Sequence, residues 1–131
     1  MLYLIDSNWV IQHFSSDPAA VALLDRLVND GFAASIVSYM EAYEGTLRIS
    51  DPAKARAQFD AFFTAIPILA FSRDVARRRG VELRETLSIQ GKRVRPRALD
   101  LMIAATAIEH GLTLVTQNKA DYQDIPGLSL Y

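Results

Sequence analysis

The sequence predicts a single α/β domain over residues 1–131, with a mainly parallel central sheet flanked by helices. Short apolar runs alternate with helical stretches along the chain, which is typical of strands joined by helices that cross the sheet. The first run, Leu2–Ile5, has the form of a strand buried on both faces, as strands of parallel sheets are. The 131 residues are 50% hydrophobic, and they contain no repeat or linker, so one core is expected.

The first half of the chain alternates strand and helix signals. An Asp-Pro pair is typical of a helix N-cap followed by the first helical position, and such pairs occur at Asp17-Pro18 and Asp51-Pro52. The predicted elements of this half are the strand Leu2–Ile5, a helix from Pro18 to about Asp30, the strand Ala33–Val37, a helix from Ser38 to about Ile49 and a helix from Pro52 to about Ala65.

The second half continues this alternation with one weaker strand. Ile66–Phe71 is apolar but contains Pro67, and proline lacks the N–H that a central strand requires. The predicted elements of this half are the strand Ile66–Phe71, an Arg-rich helix from Ser72 to about Ile89 interrupted at Gly80, a basic loop over Gln90–Pro96, the helix Leu99–His110, the strand Leu112–Val115, a helical turn near Lys119–Gln123 and the strand Leu128–Leu130.

Composition excludes several classes of function. The net charge is -1, from 14 Lys+Arg and 15 Asp+Glu, which excludes a wholly basic binder. The absence of cysteine excludes disulfides, thiolate catalysis and cysteine zinc sites. No apolar run approaches the roughly 20 residues that cross a bilayer, and no basic and apolar targeting segment opens the chain. The expected compartment is therefore the cytoplasm, with no membrane partner.

The near-zero net charge hides a basic segment. Residues 73–97 carry nine Lys or Arg side chains and three acidic ones. Eight of the nine are Arg, which suits bidentate contacts to phosphate. Such a stripe is typical either of a solvated helix face or of a nucleic-acid contact surface. The candidate phosphate contacts are Arg77, Arg78, Arg84, Arg93, Arg95 and Arg97.

Polar residues follow the predicted strands at the edge where sites of parallel sheets lie. Ligands of such sheets bind beyond the carboxyl ends of the strands. That rule selects the side chains Asp6, Ser7, Ser38, Thr116 and Asn118.

Two acidic residues near these strand ends have a structural alternative. Asp6 directly follows the first strand and could cap the next turn. Glu41 stands three residues after Ser38, and Ser-x-x-Glu is the pattern of a capping box.

Two further acids lie in the second half. Asp100 shares a helix face with apolar residues such as Ile103 and Ala104, where an unpaired carboxylate is costly; the alternative is a first-turn Asp that caps its own helix. Asp121 lies in the turn after the Leu112–Val115 strand, where a solvated turn residue is the simpler interpretation.

Taken together, the four acids indicate a metal site. Carboxylates that converge at one edge of a sheet repel one another unless they share a cation. Oxygen ligands alone favour Mg²⁺ or Mn²⁺ over Zn²⁺, and such ions activate water for attack on phosphate. An acidic pocket beside an Arg-rich stripe therefore predicts hydrolysis of phosphodiester bonds.

The sequence resembles PIN-domain ribonucleases, specifically the VapC-type toxins of bacterial toxin–antitoxin pairs. The resembling segments occur in family order over almost the whole chain, and the stretch from Asp100 to Tyr122 is the most specific. They are Leu4-Ile5-Asp6-Ser7-Asn8, Ser38-Tyr39-Met40-Glu41 with Gly45, Asp100-Leu-Met-Ile-Ala-Ala-Thr-Ala, Gly111, Leu114-Val115-Thr116, Asn118 and Asp121-Tyr122. The resemblance implies a PIN-like three-layer sandwich.

The resemblance also implies roles for individual residues. Asp6, Glu41 and Asp100 match the metal-binding acids of the family, and Asp121 matches a fourth acid that varies more. The expected supporting residues are Ser7, Asn8, Thr116 and Asn118; Ser7 stands where the family more often has Thr.

The implied activity is Mg²⁺- or Mn²⁺-dependent cleavage of structured RNA such as tRNA, gripped by the arginines of residues 77–97. Similar proteins usually form homodimers and are silenced by a cognate antitoxin protein.

Other functions remain open from sequence alone. A catalytically silent binding module would use the acids as caps and act through its antitoxin or regulatory complex. A phosphoacceptor receiver or an Asp-dependent phosphatase also places Asp at strand ends. The phosphatase pattern requires a second Asp where Asn8 stands, and the receiver requires adjacent acids near the start.

Overall fold

The computed structural model describes all residues, Met1–Tyr131, as an α/β sandwich. Its strands are β1 (Tyr3–Ile5), β2 (Phe32–Ser35), β3 (Ile68–Leu69), β4 (Thr113–Val115) and β5 (Ser129–Leu130). Its helices are α1 (Ser7–Phe14), α2 (Pro18–Leu27), α3 (Ile36–Thr46), α4 (Pro52–Ala65), α5 (Arg73–Val75), α6 (Val81–Ile89) and α7 (Ala98–Glu109). A π-helical turn (Ala76–Gly80) joins α5 to α6, and 3-10 turns span Arg95–Arg97 and Lys119–Asp121.

The sheet has the order β3-β2-β1-β4-β5, and every neighbouring pair is parallel. The predicted mainly parallel sheet is confirmed. Leu4 on the central strand β1 lies opposite Ala33 of β2 and Leu114 of β4. Because all strands run the same way, the residues that follow β1, β2 and β4 meet at one edge. This carboxyl edge carries the candidate site.

Two hydrophobic clusters cover the two faces of the sheet, as the period of a strand requires. Leu4 belongs to the cluster built with α6 and α7, and its neighbour Ile5 belongs to the cluster built with α1, α2 and α4. Both residues are fully buried. The central strand is therefore apolar on both sides, and Asp6 is the first polar residue beyond it.

Helix α1 is not among the predicted elements, and α3 begins earlier than predicted. The N-cap of α1 is Asp6 itself, whose side chain accepts a hydrogen bond from the Ser7 amide. The N-cap of α3 is Ser35, whose hydroxyl accepts from the Ser38 amide at 3.0 Å. Both Ser35 and Ser38 are suitable N-cap residues. Because β2 ends at Ser35 and not at Val37 as predicted, α3 begins at Ile36 and Ser35 is its N-cap.

The predicted helix over residues 72–89 continues through Gly80 instead of breaking there. Gly80 is buried, and a Cβ on it would lie 3.2 Å from the Phe71 ring. This glycine is used for close packing within a π-helical turn. None of the helices is long and apolar enough to span a membrane.

Candidate active site at the carboxyl edge of the sheet

Asp6 lies at the centre of the carboxyl edge. Its backbone amide continues the sheet by donating to the Val115 carbonyl at 3.0 Å. One carboxylate oxygen accepts from the Ser7 amide at 2.8 Å, and the other accepts from the Thr116 hydroxyl at 2.7 Å. The side chain is 5% exposed. Asp6 is thus both a helix cap and a fixed, buried carboxylate, so the two interpretations of this residue coexist.

Glu41 enters the site from the second turn of α3. The predicted capping box with Ser38 is wrong, because α3 begins at Ile36 and is capped by Ser35. The Glu41 side chain instead accepts a hydrogen bond from the Ser7 hydroxyl, at 3.4 Å from Oε1. Ser7 therefore links Asp6, the residue after β1, to Glu41 on α3, through its amide and its hydroxyl respectively.

Asp100 lies in the first turn of α7 but does not cap that helix. Its Oδ1 accepts a hydrogen bond from the Tyr122 hydroxyl at 3.1 Å. Tyr122 is 2% exposed, and burial together with the nearby Asp6 and Asp100 raises its pKa. A buried hydroxyl that keeps its proton is a permanent donor to this carboxylate. Sequence reasoning missed this role of Tyr122. In the sequence it has the pattern of an ordinary core aromatic residue, because its partner Asp100 lies 22 residues away.

The three acids affect one another electrostatically. Burial raises the pKa of Glu41, and the charges of Asp6 and Asp100 raise it further. Burial also raises the pKa of Asp100; the Tyr122 hydroxyl lowers it, and Asp6 and Asp121 raise it. These are the shifts expected for carboxylates gathered in a partly dry pocket.

The supporting residues occupy different positions. Thr116 is buried and connects Asp6 to the Asn118 amide, which donates to the Thr116 hydroxyl at 3.1 Å. The Asn118 side chain is exposed. Asn8 is half-buried and makes no side-chain hydrogen bond, whereas Ser7 is buried and bonded to both neighbouring acids.

Asp121 lies at the rim of the site. Its side chain is exposed, and it contributes to the raised pKa of Asp100 through its charge. Its backbone carbonyl accepts from the Arg97 guanidinium at 2.9 Å. The geometry therefore distinguishes Asp121 from the three more buried acids.

The donor set fits a hard divalent cation. No ion pair of the protein involves Asp6, Glu41, Asp100 or Asp121. Their charges are therefore left without a bound basic partner, and oxygen ligands of this kind suit Mg²⁺ or Mn²⁺. As the side chains stand, no three acidic or histidine residues are close enough to form a ready metal site. The carboxylate oxygens of these four acids are suitable ligands for a divalent metal, but the side chains are too far apart to coordinate one together as they stand.

The structure divides the predicted phosphate contacts into two groups. Arg78 and its neighbour Arg79 bind Glu109, nine residues after Asp100 on α7 and thus about 13 Å along that helix. Arg97 binds both oxygens of Asp124, at 2.9 and 2.6 Å. Arg78 and Arg97 therefore make ion pairs within the fold, and their predicted contacts with phosphate stay a prediction. Of the predicted phosphate contacts, the exposed arginines without an ion pair are Arg77, Arg84, Arg93 and Arg95.

Comparison with known proteins identifies the family. Residues 3–128 match the PIN domain. Over 128 residues the chain is 34% identical to ribonuclease VapC19 of Mycobacterium tuberculosis, with 95% of each chain covered. It is 29% identical over 126 residues to the tRNA(fMet)-specific endonuclease VapC of Shigella flexneri, with 96% of this chain and 93% of that protein covered.

Solved structures agree with this assignment. The Rickettsia felis VapBC2 complex, bound to a DNA fragment from its promoter, superimposes with a TM-score of 0.84 at 26% identity, covering 100% of this chain and 98% of that one. The DNA-bound VapBC of Salmonella typhimurium gives 0.83 at 26% identity, with the same coverage. The chain belongs to the PIN domain family. The resemblance to VapC-type toxins found in its sequence is confirmed.

Proposed function

We propose that this protein is a metal-dependent endoribonuclease that hydrolyses RNA phosphodiester bonds and acts as the toxin of a toxin–antitoxin pair. One observation carries the proposal. Asp6, Glu41 and Asp100 come from three separate elements to one edge of the sheet, and no basic side chain forms an ion pair with them. A PIN domain with such an edge has the ligands of a nuclease.

The metal is proposed to be Mg²⁺ or Mn²⁺, held by Asp6, Glu41 and Asp100 with Asp121 at the rim. Such an ion lowers the pKa of water and stabilises the charge that develops on phosphate. The surrounding side chains orient these ligands: Ser7 and Thr116 fix Asp6, and Tyr122 fixes Asp100. Partners of this kind tune metal affinity because they determine the position and basicity of each ligand.

The substrate is proposed to be RNA, with tRNA as the first class to test. A relative of this chain is a tRNA(fMet)-specific endonuclease. The exposed arginines Arg77, Arg84, Arg93 and Arg95 are proposed to contact RNA phosphates, because they have no acidic partner in the fold. Arg78 and Arg97 are left out of this surface, since their guanidinium groups bind Glu109 and Asp124.

The proposed partners are a cognate antitoxin and a second copy of this chain. Structural relatives of the chain are VapBC complexes, which supports the antitoxin. An apolar face next to the site supports the homodimer, since large exposed patches of this kind mark contact surfaces. It is formed by α3 and α7 and includes Ile36, Met40, Tyr43 and Leu99, each more than 40% exposed. The site of action is proposed to be the cytoplasm.

The test is RNA cleavage by the purified protein. A panel of tRNAs is incubated with Mg²⁺ or Mn²⁺, with EDTA, and with the variants Asp6→Asn and Asp60→Asn. Asp60 is an exposed aspartate on α4 and serves as the matched control. We expect cleavage that requires metal and Asp6 but does not require Asp60. Cleavage that persists in EDTA and in Asp6→Asn contradicts the mechanism.

A catalytically silent binding module is the second candidate. The observation that favours it is that no three acids are closed into a ready metal site. In that case the protein would act through its antitoxin complex. Undetectable metal binding, together with normal folding and intact partner binding, would support this alternative.

A further inference from the structure

A groove lies beside the acids on the face of the sheet that α1 and α2 cover. Its volume is about 360 Å³, within the roughly 300–1,000 Å³ of small-ligand sites. Trp9 and Leu23 contribute apolar wall, and Tyr131 lies at its end. Two cations, Arg26 and Lys119, also line it.

One residue joins this groove to the proposed metal site. Thr116 lines the groove, and its hydroxyl donates to Asp6 at 2.7 Å. Lys119 follows in the same loop, at the start of a 3-10 turn. The groove therefore adjoins the edge of the sheet that carries Asp6.

The charges of the groove differ from those of the Arg-rich segment. Arg26 and Lys119 are exposed and form no ion pair, and no acidic residue lines the groove. By contrast, Arg78 and Arg97 each hold a carboxylate. The groove thus offers unneutralised cations around an aromatic and apolar wall, a combination that suits single-stranded nucleic acid.

We propose that this groove is a subsite for one nucleotide of the RNA strand next to the scissile bond. The base packs against Trp9, and Arg26 and Lys119 contact the flanking phosphates. The inference rests on the proposed ribonuclease function and adds a location and a set of residues to it. RNA fits better than an apolar protein segment, because the only charged side chains of the groove are basic.

Trp9 makes the proposal directly measurable, since it is the only tryptophan of the chain. A single-stranded oligoribonucleotide is titrated into the protein with EDTA present, so that metal-dependent cleavage does not occur. Tryptophan emission and an independent binding signal from a labelled oligonucleotide are recorded together. We expect quenching of Trp9 with the same midpoint as binding.

The double variant Arg26→Gln/Lys119→Gln tests the phosphate contacts. It is expected to bind RNA about tenfold more weakly, and its plot of log affinity against log salt should flatten by roughly 0.7 for each phosphate that is no longer neutralised. With metal present, KM should rise while kcat changes little. The matched control is Lys54→Gln/Arg56→Gln, which removes two exposed cations of α4 and should leave affinity, salt dependence and KM unchanged.

Two kinds of failure are distinguishable. If the wild-type protein cleaves RNA but Trp9 emission stays constant during binding, or both double variants behave alike, the subsite is overturned and the ribonuclease function stands. Quenching by the antitoxin but not by RNA also overturns it, and assigns the groove to protein. If the wild-type protein neither binds nor cleaves RNA, the proposed function fails, and the subsite fails with it.

Discussion

The pKa values of acidic side chains are shifted in opposite directions at the carboxyl edge of the sheet and in the helical segment from α5 to α7. At the edge, burial and mutual repulsion raise the pKa of Glu41 and of Asp100. In the helical segment, bound arginines lower the pKa of Glu109. The Arg97 and Lys92 side chains hold the pKa of Asp124 at about 2.

This contrast separates charges that support the fold from charges that serve a function. An acid paired with arginine favours the folded state, and its charge is already balanced within the fold. Acids that repel one another oppose folding, so their presence together at one edge indicates a task that requires them. The basic stretch 73–97, the most conspicuous charge feature of the sequence, turns out to be partly structural. The less conspicuous acids carry the proposed chemistry.

Removing an acid of the edge should have the largest effect on activity. Asp100→Asn is expected to reduce RNA cleavage about a thousandfold, because a catalytic metal contributes several kcal/mol of transition-state stabilisation. Initial rates at saturating Mg²⁺ measure the loss. The matched control Asp60→Asn should cleave like wild type. A variant at Asp100 that retains wild-type rates would break the distinction between the two regions.

Breaking an ion pair of the helical segment should affect stability. Arg97→Met leaves Lys92 as the only ion-pair partner of the half-buried Asp124 and is expected to lower the free energy of unfolding by about 1–3 kcal/mol. Urea denaturation at neutral pH measures it, with Arg77→Met, which removes an arginine without an ion pair, expected within about 0.5 kcal/mol of wild type.

The same pair predicts a pH dependence. Because the pKa of Asp124 is lowered from 3.8 to about 2 in the folded state, its stabilisation is present above pH 3.8 and is lost as the pH falls toward about 2. This acid-dependent loss should be smaller in Arg97→Met. If wild type and Arg97→Met lose stability equally in acid, the Arg97–Asp124 ion pair does not stabilise the fold.

The Tyr122 hydroxyl tests how the edge is organised. Tyr122→Phe removes only the donor to Asp100 and is expected to weaken Mn²⁺ binding about tenfold, as loss of a ligand's hydrogen-bond partner does. Electron paramagnetic resonance of Mn²⁺ reads the affinity. Tyr3→Phe, at the opposite end of β1, is the control. Unchanged affinity in Tyr122→Phe would show that Asp100 needs no support from this loop.

Neutralising Glu41 should have the smallest of these effects, a small gain in the stability of the metal-free protein. Because the pKa of Glu41 is raised in the folded state, its ionised form opposes folding above its ordinary pKa. Glu41→Gln should therefore stabilise the metal-free protein by about 0.5–1 kcal/mol, measured by urea denaturation in EDTA. Glu85→Gln, an exposed control on α6, should change little. If Glu41→Gln is instead less stable than wild type, the ionised Glu41 side chain stabilises the fold.

Local patterns predicted most of the fold and singled out Asp6, Glu41 and Asp100 as candidate site residues. Apolar runs marked the strands, Asp-Pro pairs marked the starts of α2 and α4, and the strand-end rule found Asp6 and Thr116. Features that depend on distant partners were not predictable in this way. Arg97 precedes Asp124 by 27 residues, and Asp100 precedes Tyr122 by 22, so neither pair leaves a local pattern. The start of α3 depended on where β2 ends, and that decided against a capping role for Glu41.

Binding of Mn²⁺ shows whether the acids of the carboxyl edge form a metal site. Calorimetric titration of the metal into wild type, Asp100→Asn and Asp60→Asn separates a site at the carboxyl edge from general attraction to acidic side chains. We expect saturable binding to wild type and to Asp60→Asn, and loss of that binding in a folded Asp100→Asn. Equal binding by all three proteins, or binding by none, would contradict a metal site at this edge.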